Sequence, residues 1–244
     1  MNGRLVDWTP AQAPGLPAEG LRERKKRLMR QQLSDTATAM FLDRGFDAVR
    51  VAEVAAACGV SEKTVFNYFP VKEALVMDRL EATQAALSAG LADPTLTPVQ
   101  AALAVLDDEL GAMTGWLAAQ QDASQAREAI RRFGDLIRAT PALRAYQADM
   151  TDQSASAAAG VLAARTGTTA DDPEPQITAR ALLGLWHVQA DSLRRHLDRA
   201  ATPALLHEQV TADVRRAARL IDTGLRTFAA PRHRPQARPA LPGA

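Results

Sequence analysis

Polar side chains that can hydrogen-bond to nucleic acid are concentrated in one short segment, residues 61 to 69, of the 244-residue sequence. If the segment is helical, Val65 and Phe69 turn inward at i and i+4, and the polar residues around them face outward. Lysine can donate to guanine, asparagine can pair with adenine, and a threonine methyl can contact thymine. A tyrosine can pack its ring on the scaffold and direct its hydroxyl at a phosphate. We therefore predict base contacts from Lys63, Thr64 and Asn67, and a phosphate contact from Tyr68.

A strongly basic run lies ahead of this segment. Its cations are Arg22, Arg24, Lys25, Lys26, Arg27 and Arg30, and its only acid is Glu23. Positive charge that neutralises phosphates supplies much of a protein's affinity for nucleic acid, whatever the base sequence. We therefore predict backbone contacts from this run, among them Arg24, Lys25 and Arg27. A solvated helix face is the alternative interpretation of the same charges.

Two short helices joined at a glycine would position the base-reading residues. Between residues 49 and 75, Ala55 is small enough for two helices to cross closely, and Gly59 tolerates the positive φ of a sharp turn. Ser61 can cap the second helix through its hydroxyl oxygen. Ahead of them, apolar residues spaced by three and four predict a first helix that begins at Leu21 and ends at Gly45. Its apolar positions are Leu28, Leu33, Ala37, Met40 and Phe41. The pattern is that of a helix-turn-helix.

This segment resembles the signature of the tetracycline-repressor family over roughly residues 21 to 75. The matching positions are Gly45, Phe46, Val51, Ala55, Gly59, Val60, Ser61, Thr64, Tyr68, Phe69, Lys72, Glu73 and Leu75. The resemblance implies a one-component regulator, typically a repressor. It implies an N-terminal three-helix DNA-binding unit and a helical body that binds a ligand and dimerises. It also implies that Lys72, at the start of a fourth helix, contacts phosphate.

Three positions depart from the family pattern. The family usually has Thr or Ser where this chain has Arg50, which cannot accept the hydrogen bond that caps the first helix of the motif. We predict that Arg50 contacts phosphate instead. The family usually has Tyr at the position of Phe66, so a customary contact from a phenol to phosphate is missing here. At the position of Lys63 the family often has Gly or Ala, and the charge of Lys63 can compensate for the lost contact. The candidate DNA-contacting residues are therefore Arg24, Lys25, Arg27, Arg50, Ser61, Lys63, Thr64, Asn67, Tyr68 and Lys72.

Composition excludes several other classes of protein. A net charge of +1 argues against a nonspecific nucleic-acid coat protein. The sequence has no apolar run of about 18 residues and no signal-like start, so we expect a cytoplasmic protein that does not enter a membrane. The single cysteine, Cys58, excludes an intramolecular disulfide and a cysteine-rich zinc site. The histidines form no metal pair, and no phosphate loop, nucleophile elbow or carboxylate pair occurs. We therefore expect no metal, no cofactor and no catalysis.

The rest of the chain shows no strand-like alternation, and three Thr-Pro pairs mark helix starts at Thr97, Thr140 and Thr202. We predict an all-α fold of about nine helices, in which the later ones cover residues 71 to 90, 98 to 120, 124 to 138, 141 to 165, 176 to 199 and 203 to 228. Residues 167 to 175 form the clearest loop. The predicted divisions are a disordered arm at 1 to 20, a DNA-binding domain at 21 to 70, a ligand-binding and dimerisation domain at 71 to 230, and a disordered tail at 231 to 244.

Aromatic and sulfur-containing residues of the body define where a small hydrophobic effector could bind. These residues are Met113, Trp116, Phe133, Ile137, Met150, Leu183, Trp186 and His187. Sites between bundle helices are mostly apolar with a few orienting polar groups, and ordinary core packing is the alternative for each residue. The segment from Phe133 to Tyr146 and the Asp-Asp-Pro-Glu-Pro loop also resemble a subset of the family with acyl-CoA-like ligands. That resemblance implies an acyl-CoA or another lipophilic effector.

The last two predicted helices carry apolar residues for an interface between two copies. We expect a homodimer in which these helices form a four-helix bundle with their symmetry mates. The candidate interface or core positions are Leu182, Leu185, Val188, Leu197, Leu205, Val210, Val214 and Leu220. The sequence leaves two alternatives open, namely a regulator without a small-molecule effector and a helical protein–protein adaptor.

Overall fold

A computed structural model describes residues 20 to 229, with side chains to residue 224. The described chain is all-α, as predicted, and contains nine α-helices and one 3-10 turn. The helices are α1 (Leu21–Arg44), α2 (Val51–Ala57), α3 (Glu62–Tyr68), α4 (Leu80–Ala92), α5 (Pro98–Ala118), α6 (Ala123–Ala139), α7 (Pro141–Thr166), α8 (Pro173–His196) and α9 (Pro203–Ala229). The predicted tail, and the predicted arm up to residue 19, lie outside the described residues.

Helix α1 ends where the sequence predicts. Gly45 has a φ of 86° and its backbone N–H donates to the carbonyl of Phe41, which closes the last turn. Leu33, Ala37 and Phe41 are buried on the inner face. Leu28, one of the predicted apolar positions, is exposed, whereas its neighbour Met29 is partly buried.

The turn between α2 and α3 is built as the sequence predicts. Gly59 has a φ of 69°, in the left-handed region that glycine adopts without strain. The N–H of Val60 then donates to the carbonyl of Ala55 at 3.0 Å. Ala55 and Val65 are buried where the two helices meet. The small residue and the glycine together allow α3 to cross α2 closely.

The predicted fourth helix over residues 71 to 90 is wrong in its first half. A 3-10 turn, Lys72–Leu75, follows α3, and α4 begins only at Leu80. The consecutive side chains of residues 74 to 77 are all buried. Successive residues of an α-helix are turned by about 100°, so one helix face could not bury all four of them. The chain therefore winds tightly here, and periodic burial resumes in α4 at Leu87 and Leu91.

The helices of the body begin close to their predicted positions. The hydroxyl of Thr97 accepts from the N–H of Gln100, and that of Thr202 accepts from the N–H of Leu205, both at 3.1 Å. Thr140 is different, because it is buried and its hydroxyl makes no capping bond. Helix α8 begins at Pro173, inside the predicted loop, because a proline suits the first turn of a helix.

Two apolar cores organise the described chain. The larger core is formed by helices α4 to α9, and it includes the alanines at 155, 158 and 159 in α7. These three alanines are buried in that core. The smaller core joins α1, α2, α3 and the 3-10 turn, extends past residue 70 to Met77, and includes Leu143 of α7, which is fully buried. No helix among the described residues is long and apolar enough to cross a membrane.

Candidate nucleic-acid interface

Helix α3 presents two of its three predicted base-reading residues to solvent, while Thr64 is only partly exposed. Lys63 and Asn67 are exposed and lie one turn apart, while Val65 is buried against the smaller core. Phe66 is also on the surface and is 44% exposed. The outer face of α3 therefore combines a cation, an amide and an exposed aromatic ring. These groups suit contacts to base edges and to apolar parts of the groove.

Ser61 and Thr64 form a local cap at the start of α3. The Ser61 hydroxyl oxygen accepts from the Thr64 backbone N–H at 3.1 Å, as predicted, and the two hydroxyl oxygens lie 2.8 Å apart. This arrangement satisfies a helix-terminal N–H that would otherwise lack a partner. The Ser61 hydroxyl is therefore already used by the cap, whereas the contact predicted for Thr64 is made by its methyl group.

Arg50 does not cap α2 with its side chain, and Glu53 supplies the bond instead. The Glu53 carboxylate accepts from the Arg50 backbone N–H at 2.8 Å and from the Arg44 guanidinium at 2.8 Å. These bonds, the one from the Arg50 backbone first, hold the pKa of Glu53 below its ordinary value. The Arg50 side chain itself is 84% exposed. It is thus accessible to a phosphate, as its predicted role requires.

Lys72 is held by the scaffold to a degree that the sequence did not reveal. Its ammonium donates to the carbonyl of Phe46 at 2.6 Å and lies 4.3 Å from the centroid of the Phe46 ring. It is also 5.4 Å from the centroid of the Phe41 ring. An ammonium has three donors, so the predicted phosphate contact would use a proton that Phe46 does not take. Lys72 also ties the 3-10 turn to the end of α1.

The basic run divides into an outward part and one inward residue. Arg24 and Lys25 are exposed on α1, and Arg27 is exposed as well. Arg30 departs from the predicted phosphate-contacting run because its guanidinium turns toward the scaffold. It pairs with Asp78 and Glu81, donates to the Tyr68 carbonyl and lies over the Phe69 ring. The positive field that faces outward is therefore smaller than the sequence indicates.

The predicted effector-binding residues do not form one cluster. The larger core includes Met113, Trp116, Leu183 and Trp186, whereas Phe133 and Ile137 pack against the smaller core. Met150 is buried in α7, and His187 is exposed. The division arises because α6 lies against α1, where the Arg132 guanidinium donates to the carbonyl of Leu42. The segment from Phe133 to Tyr146 is therefore a junction between the two cores.

Glu109 is a polar residue of the body that is not among the candidates predicted from the sequence. One carboxylate oxygen accepts from the Trp186 indole N–H at 2.9 Å, and the other accepts from the Thr83 hydroxyl. Glu109 therefore joins α4, α5 and α8. Its spacing from Leu106 and Met113, at three and four residues, places it on the apolar face of α5. That spacing is the signal that could have identified it.

An all-α chain with a capped, exposed reading helix and a separate helical body is a DNA-binding regulator of the helix-turn-helix class. A model described as bacterial regulatory proteins of the tetR family matches residues 33–78, and a model of the MftR C-terminal domain matches residues 111–226. The chain belongs to the TetR family of transcriptional regulators.

Two curated relatives cover most of the chain. The HTH-type transcriptional regulator TcmR of Streptomyces glaucescens is 28% identical over 220 residues, covering 85% of this chain and 96% of TcmR. A Mycobacterium tuberculosis protein assigned as the mycofactocin biosynthesis transcriptional regulator MftR is 28% identical over 170 residues, covering 70% of this chain and 82% of that protein. Both names support the prediction that the chain is not an enzyme.

Among solved structures, a protein of Mesorhizobium loti described as a tetR-family transcriptional regulator matches with a TM-score of 0.42 and 18% identity. The match covers 83% of this chain and 98% of that chain.

Proposed function

We propose that the protein is a cytoplasmic repressor that binds a nearly palindromic operator as a homodimer and is released from it by a small hydrophobic effector. The observation that carries the DNA part is the exposed pair Lys63 and Asn67 on a capped α3, beside the exposed cations of α1. Lys63 and Asn67 supply base contacts, while Arg24, Lys25, Arg27, Arg50 and Lys72 supply phosphate contacts. Two copies would place their reading helices about 34 to 36 Å apart, or somewhat farther.

The surface of α8 and α9 supports a dimer. A short loop joins these helices, and they pack on each other, with Arg195 of α8 paired to Asp213 of α9. Among the predicted interface or core residues, Leu182, Leu185, Leu197, Val210 and Val214 are buried within one chain and Val188 is partly buried. Leu220 on α9 is 78% exposed, and Ile177 on α8 is 64% exposed. These exposed side chains are the ones available to a second copy.

The effector is proposed to act through the body. Its apolar site would include residues of the larger core near Trp186, among Met113, Trp116 and Leu183. An acyl-CoA-like molecule stays one candidate, although the segment that suggested it lies at the junction with the DNA-binding unit. A ligand that prefers a body conformation with wrongly spaced reading helices lowers DNA affinity by linkage.

One experiment tests this function. The purified protein is used to select duplexes from a random pool, with and without a panel of lipophilic candidate ligands that includes acyl-CoAs. We expect a palindromic sequence, recovered by a species that light scattering shows to be a dimer. Full-affinity binding by a monomer would refute the dimer. A protein–protein adaptor would dimerise but select no duplex, and a regulator without an effector would select a duplex that no ligand releases.

A further inference from the structure

We infer that Glu109 is the polar anchor of the effector site and that it selects a molecule with a primary or secondary ammonium on an apolar body. The inference rests on the proposed function, since it names the chemical class of the effector. Glu109 is half-buried. Buried residues lie one turn from it and from its two partners: Met113 from Glu109 on α5, Leu87 from Thr83 on α4, and Leu183 from Trp186 on α8. Its carboxylate therefore lies beside an apolar part of the body, where a ligand with an apolar remainder could reach it.

The hydrogen bonds of Glu109 bring no positive charge to its carboxylate. Both donors, the Trp186 indole and the Thr83 hydroxyl, are neutral. Within residues 20 to 224, no Lys, Arg or His forms an ion pair with Glu109. Other acids of the body do have cationic partners, such as Asp213 with Arg195 and Asp198 with Arg131. A ligand with a positive charge would supply the missing partner, and an anionic ligand would be repelled.

The neighbours of Glu109 suit an ammonium in particular. An ammonium N–H can donate to the carboxylate oxygen that now accepts from Thr83, and the indole of Trp186 can contact the cation through its ring face. The apolar remainder of the ligand would lie against the larger core. The site therefore combines a carboxylate, an indole and an apolar wall.

Thr83 connects this site to the DNA-binding unit. It lies in the first turn of α4, which begins shortly after the 3-10 turn at the base of the reading helix. If the ammonium takes the Glu109 oxygen, the Thr83 hydroxyl loses its bond to α5. The body then holds α4 less firmly, and DNA affinity falls by the coupling between the two sites.

The test uses three probes with the same chain length: octylammonium, octanol and octanoate. Calorimetry on the full chain measures binding, and competition with the selected operator duplex measures release. We expect octylammonium to bind at least tenfold more tightly than octanol, and octanoate more weakly still. Equal binding of octanoate and octylammonium, or no octylammonium binding at millimolar concentration, would overturn the inference. The DNA selection without ligand tests the proposed function separately, because calorimetry does not require DNA.

Variants assign the effect to Glu109. Glu109→Gln keeps an oxygen for the indole N–H and should lose at least tenfold in octylammonium affinity. Asp108→Asn is the matched control, because Asp108 is the neighbouring acid on α5 and is exposed; it should change nothing. Thr83→Val removes the bond that the ligand must displace, so it should bind octylammonium more tightly and release less DNA. Unchanged affinity in Glu109→Gln, or equal loss in Asp108→Asn, would contradict the assignment.

Discussion

The guanidinium of Arg30 and the carboxylate of Asp78 form an ion pair, with Nε and Oδ1 2.5 Å apart, that joins α1 to the segment leading into α4. The same guanidinium donates to the carbonyl of Tyr68 at 3.0 Å and lies 4.6 Å from the centroid of the Phe69 ring. Burial raises the pKa of Asp78 despite the nearby Arg30 charge, so the carboxylate depends on its partner. Arg30 therefore fixes the end of the reading helix.

We expect Arg30→Ala to lower the free energy of unfolding by about 2 kcal/mol, because it leaves the Asp78 carboxylate without its cation in a partly screened site. DNA affinity should fall while its dependence on salt stays the same. Arg24→Ala is the control on the same helix and should reduce the salt slope by about one without changing thermal stability. A stable Arg30→Ala protein with a flattened salt slope would show that Arg30 contacts phosphate after all.

Replacement of Ser61 separates helix capping from DNA contact. Ser61→Ala removes the acceptor for the Thr64 N–H and should destabilise the protein by about 1 kcal/mol. Ser61→Asp retains an acceptor, so its thermal stability should match the wild type. Its added negative charge should weaken binding to phosphate-rich DNA. If Ser61→Asp bound duplex as tightly as the wild type, Ser61 would lie outside the interface.

Asn67 and Lys63 should determine which bases are preferred. Asn67→Ala and Lys63→Ala are each expected to cost about 1 to 3 kcal/mol at the base pair they contact and to relax the preference at that position. Lys72→Ala should instead weaken all duplexes similarly. Random-duplex selection with each variant measures the effect. An unchanged preferred sequence for Asn67→Ala would remove Asn67 from the base-reading set.

Leu143 is expected to stabilise the DNA-binding unit, although it belongs to α7. Its truncation to Ala should cost about 3 kcal/mol and accelerate amide exchange in α1 to α3. Leu206→Ala is the matched control, because Leu206 is equally buried but packs in the larger core. It should destabilise the protein to a similar extent without selective exchange in the DNA-binding unit. Identical exchange patterns in the two variants would argue against a separate role for Leu143.

Asp213 gives the protein a pH-dependent stability. Its carboxylate accepts from Ser192 and Arg195 and lies 3.2 Å from His196. These bonds, that of Ser192 first, lower the pKa of Asp213 far below its ordinary value of 3.8. A lowered pKa stabilises the folded protein above that value, and the stabilisation is lost as the pH falls below it. Asp213→Asn should therefore be less stable at pH 7 and show a smaller loss of stability between pH 5 and pH 2 in thermal melts.

The sequence predicted best those features that depend on local chemistry. The φ values at Gly45 and Gly59 and the cap at Ser61 follow from residue type and spacing, and the structure has all three. The prediction of a continuous fourth helix is wrong because the burial of residues 74 to 77 depends on the elements that surround them. The sequence predicts that Arg30 and Lys72 face outward, because it does not show what holds them. The partner of Arg30, Asp78, is distant in sequence, and that of Lys72 is a backbone carbonyl, that of Phe46. Phe133 and Trp186 were placed in one site although they pack in different cores.

The position of Leu143 in the smaller core limits how this protein can be recombined with its relatives. Residues 21 to 78 contain the whole helix-turn-helix, yet their core also includes a side chain of α7. A hybrid regulator made by exchanging only those residues would pack a foreign core against Leu143. The DNA-binding unit and the body are thus matched to each other. A successful exchange must transfer the α6–α7 junction together with the DNA-binding unit.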